Sequence, residues 1–233
     1  MTEPVRLSYF SDVLCVWAYV SQIRLDELER AFGDRLVISH HFLPVFGCTD
    51  HRIGEGWRER GGFEGFGEHV REVCAGFPHV EISPQVWRRN VPKSSATAHH
   101  FLASVQLLEE KGILSREGVE DYAGRSVFEE SIERVRLAFF RDARNIAELN
   151  ELLRVSDELE LPRKTILEQM SNGEALASLF RDVELRDEYK LEGSPSYYLN
   201  QGRQKLYGNV GYRIIEANVA EMLERPGDSA SWC

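Results

Sequence analysis

Four side chains in this chain could act as sulfur nucleophiles: Cys15, Cys48, Cys74 and Cys233. None forms a C-x-x-C pair, so each is expected to be a reduced thiol in a cytosolic setting. Cys15 stands apart because of what surrounds it. Val5, Leu7 and Tyr9 alternate with polar residues and read as a strand ending at Ser11-Asp12. From Cys15 the period changes, and Val16, Val20, Ile23, Leu28 and Ala31 fall close to helical spacing, with Gly33 as a stop. Cys15 is therefore predicted at the first turn of a helix, where unpaired N–H groups and the helix dipole favour an anion. A thiol so placed is expected to drop from a pKa of ~8.5 toward ~4–7, exposing the thiolate that attacks disulfides. Cys15 is the predicted catalytic nucleophile and the most reactive thiol of the chain.

The other candidates read differently. Cys48 could resolve a Cys15 disulfide only if the Cα atoms approach within ~7 Å, which nothing in the sequence indicates, so it is read as structural. Cys74 recurs with Val70 and Val73 on an apolar face and is assigned to the core. Cys233 ends a tail over 227–233 that is expected to be disordered. Asp12, three residues before Cys15, is expected to cap the helix, with tuning of the thiol as its other role. Trp17 is expected to pack, with a place on the active-site rim as the alternative. Trp57, Phe63 and Phe66 fit equally well as cleft lining or as loop packing.

No metal is expected. His40 and His41 are neighbours on a probable strand and point to opposite faces, and His99 and His100 diverge on a helix. The net charge of −10, with Lys and Arg dispersed among acids, removes the electrostatic basis for nucleic-acid binding. No apolar run approaches the ~18 residues of a membrane span. The opening MTEPVRLSYFSD has no basic region followed by an apolar stretch, so a cytoplasmic protein is expected.

The elements around these residues follow from patterning. LVISHHF reads as a second strand, joined to the first by the helix in a right-handed parallel crossover. GEGWRERGGFEGFGEH reads as a glycine- and aromatic-rich loop. From about Phe66 to Glu188 the readable segments are helical, with Pro162 expected at a helix N1 position. SPSYYLN and QKLYGN then read as strands around a Gln201-Gly202 turn, followed by the helix YRIIEANVAEML. The order is β-α-β, helices, β-β-α. It implies an α/β fold with one sheet and an all-helical insertion, because neither strand-bearing end could bury its apolar faces alone.

SYFSDVLCVWAYV resembles the strand, active-site loop and helix that open the DsbA-like thioredoxin-fold proteins. The resemblance is to the branch of FrnE-like oxidoreductases, 2-hydroxychromene-2-carboxylate isomerases and kappa-class glutathione transferases. It implies a thioredoxin fold over 1–49 and 189–226, with the helical insertion over 50–188. Cys15 matches the first position of the C-x-x-C motif, and Ala18 stands where the second cysteine would be. Gly193-Ser194-Pro195-Ser196 resembles the cis-proline loop, which implies a cis bond at Pro195, placement opposite Cys15, and backbone pairing of Ser194 with bound peptide or glutathione. Asn209-Val210-Gly211-Tyr212 falls where glutathione-using relatives bind the γ-glutamyl carboxylate, although the Ser-Asp of those relatives is missing.

The function implied is a thiol–disulfide oxidoreductase working through Cys15 alone. It would act on a protein or small-molecule disulfide, with glutathione or another external thiol as cosubstrate and no covalently bound cofactor. Two alternatives accompany it: a glutathione-dependent isomerase or transferase, and a thioredoxin-like binding module without turnover. Family members are often dimers, which implies a homodimer as a further expectation.

Overall fold

The computed structural model describes residues 3–227 and 231. Of the tail expected to be disordered, only Gly227 and Ser231 are among them. Ser231 N–H donates to Glu221 Oε1 at 2.7 Å, and the rest of that expectation lies outside the described residues.

Alternation in the first segment forms β1 (Val5–Ser11), and α1 (Val16–Phe32) returns the chain to β2 (Leu36–Phe42). The two strands pair in parallel from Val5↔Leu36 to Ser11↔Phe42. Far along the chain, β3 (Ser196–Leu199) pairs antiparallel with β1, and β4 (Gln204–Tyr207) pairs antiparallel with β3. The sheet order is β2-β1-β3-β4, and α8 (Tyr212–Glu224) closes the unit. This is the thioredoxin arrangement implied by the sequence.

β1 lies inside the sheet, between β2 and β3. Leu7 and Tyr9 pack with Leu25 and Leu28 of α1 and with Ile215 and Val219 of α8. The residues after β1 belong to a second cluster: Val13 and Leu14 share it with Phe66, Phe101, Phe139 and Val155 from the helical segment. That segment comprises α2 (Gly62–Ala75), α3 (Ala96–Glu110), α4 (Val127–Phe140), α5 (Leu149–Glu158), α6 (Arg163–Ser171) and α7 (Glu174–Tyr189). Its apolar faces are thus buried together with the N-terminal end of α1. Among the described residues no helix is long and apolar enough to cross a membrane.

Two local readings are corrected. The stretch read as a loop, residues 54–69, begins in the last residues of a π-helical turn at Asp50–Glu55 and contains a 3-10 turn at Arg58–Arg60 and the start of α2 at Gly62. Its glycines serve tight turns: Gly61 and Gly62 have φ of +91° and +57°, and a Cβ on Gly65 would sit 1.7 Å from the Arg60 carbonyl oxygen. A glycine run that looks like a breaker is here a close approach of turn to helix. Pro162, expected at N1, precedes α6 as its cap, with ψ of 77° outside the helical range.

Candidate active site

The β1–α1 junction is short, and its geometry determines the position of the thiol. Cys15 is the N-cap of α1, with extended φ and ψ. Its carbonyl accepts from the N–H groups of Ala18 and Tyr19 at 3.1 and 3.0 Å, and its own N–H donates to the Asp12 carbonyl at 3.0 Å. Ala18 lies fully buried one turn in. Opposite, the Ser194–Pro195 bond is cis, as the resemblance implies. Cys15 Sγ donates to the Ser194 carbonyl at 3.3 Å, and the Asp12 N–H donates to Ser194 Oγ at 2.8 Å. The two anchors, 179 residues apart in sequence, are joined by these two hydrogen bonds.

Asp12 does not cap the helix, since no side chain does. Its carboxylate is completely buried and ties three segments together. Oδ1 accepts from Leu14 N–H at 2.9 Å, while Oδ2 accepts from Phe46 N–H and from Ser95 Oγ, each at 2.8 Å. His99 completes the surroundings: its Nε2 accepts from Val13 N–H at 3.2 Å and lies 3.5 Å from Asp12 Oδ1. Three donors around one buried carboxylate, Leu14 N–H, Phe46 N–H and Ser95 Oγ, meet the requirement that such a charge be compensated.

The thiol itself departs from the sequence expectation. Cys15 is only 6% exposed, and this burial pushes its pKa up. The Ser194 side chain and the backbone N–H groups of Ala18 and Trp17 pull it down, and the Asp12 charge adds to the rise. The helix end exerts its pull, but loss of solvent outweighs it. Cys15 therefore rests as a thiol at neutral pH. Cys48 is exposed and Cys74 is buried in the core, where burial raises its pKa to about 11.

Cys15 opens onto a cavity of about 480 Å³, within the usual size range of small-molecule sites. Its walls come from Val16 and Trp17, from Val45 and Phe46 after β2, from Arg52, Trp57, Phe66 and His69, and from Glu192, Gly193, Ser194 and Tyr207. Trp17 both lines the cavity and packs edge-on against Phe77 at 6.4 Å. Trp57 and Phe66 meet at 4.9 Å on the wall, whereas Phe63 is not among the lining residues and instead stacks on Trp87 at 6.4 Å.

Asn209, Val210 and Gly211 are not among the residues that line this cavity. Arg24 occupies two of them: its Nη1 donates to the Val210 carbonyl at 2.6 Å, and its Nη2 donates to Asn209 Oδ1 at 2.7 Å. The glutathione role expected of this segment is thus not supported by proximity to Cys15.

Sequence reasoning missed Arg52, His69, Glu192 and Tyr207 on the walls, and Ser95 and His99 behind them. A cation and an imidazole 17 positions apart carry no spacing signal, because the π-helical turn and α2 bring them together. Among the described residues no group of His, Cys, Asp or Glu side chains could hold a metal ion.

Comparison of the whole architecture with solved structures gives matches across almost the full chain. A protein from Nitrosomonas europaea, provisionally described as a protein disulfide isomerase, aligns with a TM-score of 0.74 at 13% identity, covering 97% of this chain and 100% of its own. The thioredoxin fold here is the DsbA-like one. The cytosolic disulfide reductase DsbM from Pseudomonas aeruginosa, solved with GSH, shares this DsbA-like fold at a TM-score of 0.60 and 17% identity over 95% and 93% of the two chains. A 2-hydroxychromene-2-carboxylate isomerase does so at 0.60 and 14% over 97% and 100%. No protein-family model matches the chain, and no curated protein matches it by sequence. At these identities the likeness extends to the DsbA-like fold alone.

Proposed function

We propose that the protein is a thiol–disulfide oxidoreductase that works through the single thiol of Cys15. The observation that carries this reading is the placement of Cys15 Sγ at a helix N-cap, on a cavity, against the carbonyl of Ser194 in the cis-proline loop. Ser194 N–H and carbonyl offer an edge for the backbone of a bound disulfide, while Trp17 shapes the approach. Cys15 loses its proton and attacks one sulfur of the disulfide. A Cys15 mixed disulfide forms and the other half leaves as a thiolate. Ala18 supplies no second thiol, so an external thiol of the glutathione kind attacks the mixed disulfide and restores Cys15. A solved DsbA-like neighbour, described as a cytosolic disulfide reductase and bound to GSH, supports the choice of thiol. Intact mass after incubation with oxidised glutathione tests the reading. One glutathione adduct, mapped to Cys15, is the expected result. An adduct confined to Cys48 or Cys233 removes it.

A second reading gains support from the raised Cys15 pKa. A protonated thiol can donate a hydrogen bond to the thiolate of bound glutathione, as an isomerase or transferase requires, without bonding to it. That reading expects no adduct at Cys15 and a higher melting temperature with reduced glutathione.

A further inference from the structure

The cavity around Cys15 has a charge pattern that the thiol chemistry does not require. Among the described residues, Arg52 is the only Lys or Arg on its walls, and Glu192 is the only Asp or Glu. Among the described residues no carboxylate lies within ion-pairing reach of Arg52, whose guanidinium rests over the Phe46 ring at 5.1 Å. The neighbouring Lys93 shows the contrast, because it is paired with Asp50 at 2.9 Å. The same wall carries the aromatic side chains of Trp17, Trp57 and Phe66. Cys15, 6% exposed, can be reached through this cavity by a small molecule more readily than by a disulfide held in a folded protein.

We infer that the cavity selects low-molecular-weight aromatic disulfides bearing a carboxylate, with Arg52 as the residue that pairs with that carboxylate. The aromatic ring is taken up by Trp57 and Phe66. Glu192 repels the carboxylate and so directs it toward Arg52. A guanidinium is suited to this task because it presents a planar fork to both carboxylate oxygens. The reaction balances simply: Cys15 gives up its proton, its sulfur bonds to one sulfur of the disulfide, and the second aromatic half departs as a thiolate. The inference rests on the Cys15 reading above.

Two aromatic disulfides separate the inference from that reading: dithionitrobenzoate, which carries a carboxylate on each ring, and dithiodipyridine, which is uncharged. Both are reacted with a Cys48→Ser, Cys233→Ser background, with rates normalised to those of free cysteine and the adduct mapped by mass. The expected result is a rate ratio favouring the anionic reagent, reduced about tenfold by Arg52→Gln. Arg52→Lys should retain part of the preference, and added salt should diminish it. The chain should leave insulin disulfides unreduced in the presence of glutathione. An equal ratio in the background protein, an equal loss for both reagents in Arg52→Gln, or reduction of insulin as fast as of the small reagents overturns the inference while leaving Cys15 as the nucleophile. If neither reagent labels Cys15 in the folded protein, the Cys15 reading fails and the inference fails with it.

Discussion

Two helix N-termini in this molecule come from equivalent places in a thioredoxin fold, each following a strand of the same sheet, yet they are used in opposite ways. At α1 the cap residue is Cys15, and its thiol, buried but for one side, lies on the wall of a cavity. At α8 the cap is Gly211, and the preceding Val210 carbonyl and Asn209 side chain are held by Arg24 from α1 itself. One end is left open to a ligand, and the other is consumed in holding the last helix to the first. A shared topology offers both positions, and side chains decide which becomes a site.

That contrast can be broken most decisively at Cys15. Replacing it by serine should abolish the adduct formed with oxidised glutathione, a loss of at least ~100-fold in rate, because a hydroxyl at neutral pH supplies no comparable nucleophile. Intact-mass kinetics measure it, and an undiminished rate would transfer the chemistry to another cysteine. Next in size is Asp12→Ala. It leaves the N–H groups of Leu14 and Phe46 and the hydroxyl of Ser95 without their acceptor in a buried setting, at ~1–3 kcal/mol for each unsatisfied group. Urea unfolding should report a loss of about 3 kcal/mol or more. A loss under about 1 kcal/mol would mean that water takes over the role of the carboxylate.

A smaller effect concerns pH. Because burial raises the Cys15 pKa, the thiolate fraction at neutral pH is below that of a free cysteine, and it grows as pH rises. Alkylation of Cys15 by iodoacetamide should therefore keep climbing at pH values above ~8.5, where a model cysteine begins to level off. A rate already flat at mildly acidic pH would show that substrate-free Cys15 is a stabilised thiolate after all. The smallest effect is expected from Asn209→Ala, which removes one Arg24 contact at an exposed site. Adduct formation at Cys15 should change by less than about twofold, in line with the ~0.5–1.5 kcal/mol worth of a single hydrogen bond spent on helix docking rather than chemistry. A tenfold fall would bring the α8 terminus back into the site and erase the contrast.

The parts of this picture legible in the sequence are those written locally. The change of period at Cys15 needs only neighbouring residues to be read, while the cis bond of the Gly-Ser-Pro loop and its place opposite Cys15 come through the family resemblance; Cys15 caps α1, and the loop meets it with a cis bond. What escaped depends on depth and on distance along the chain. The depth of Cys15 is made by the helical segment packed over its loop, so a rule about helix ends alone mistook the sign of its pKa shift. Asp12 looked like a cap because caps are local, whereas its actual partners Phe46 and Ser95 are 34 and 83 positions away. Arg52 and His69 share a wall only because glycines at 61, 62 and 65 permit a turn tight enough to start α2 early.

The Asp12 knot also bears on the order in which the molecule assembles. Its hydrogen bonds reach across 34, 83 and 182 positions of chain, so closing them requires loops of very different length to be shut at once. Contacts of such range form slowly and belong to the later stages of folding. A nascent chain therefore carries Cys15 in an open, unshielded loop until β3 has been made and docked. The amide protons of Asp12 and Phe46, once bonded, should exchange only through global opening, so the shielding of the thiol and the completion of the fold become one event.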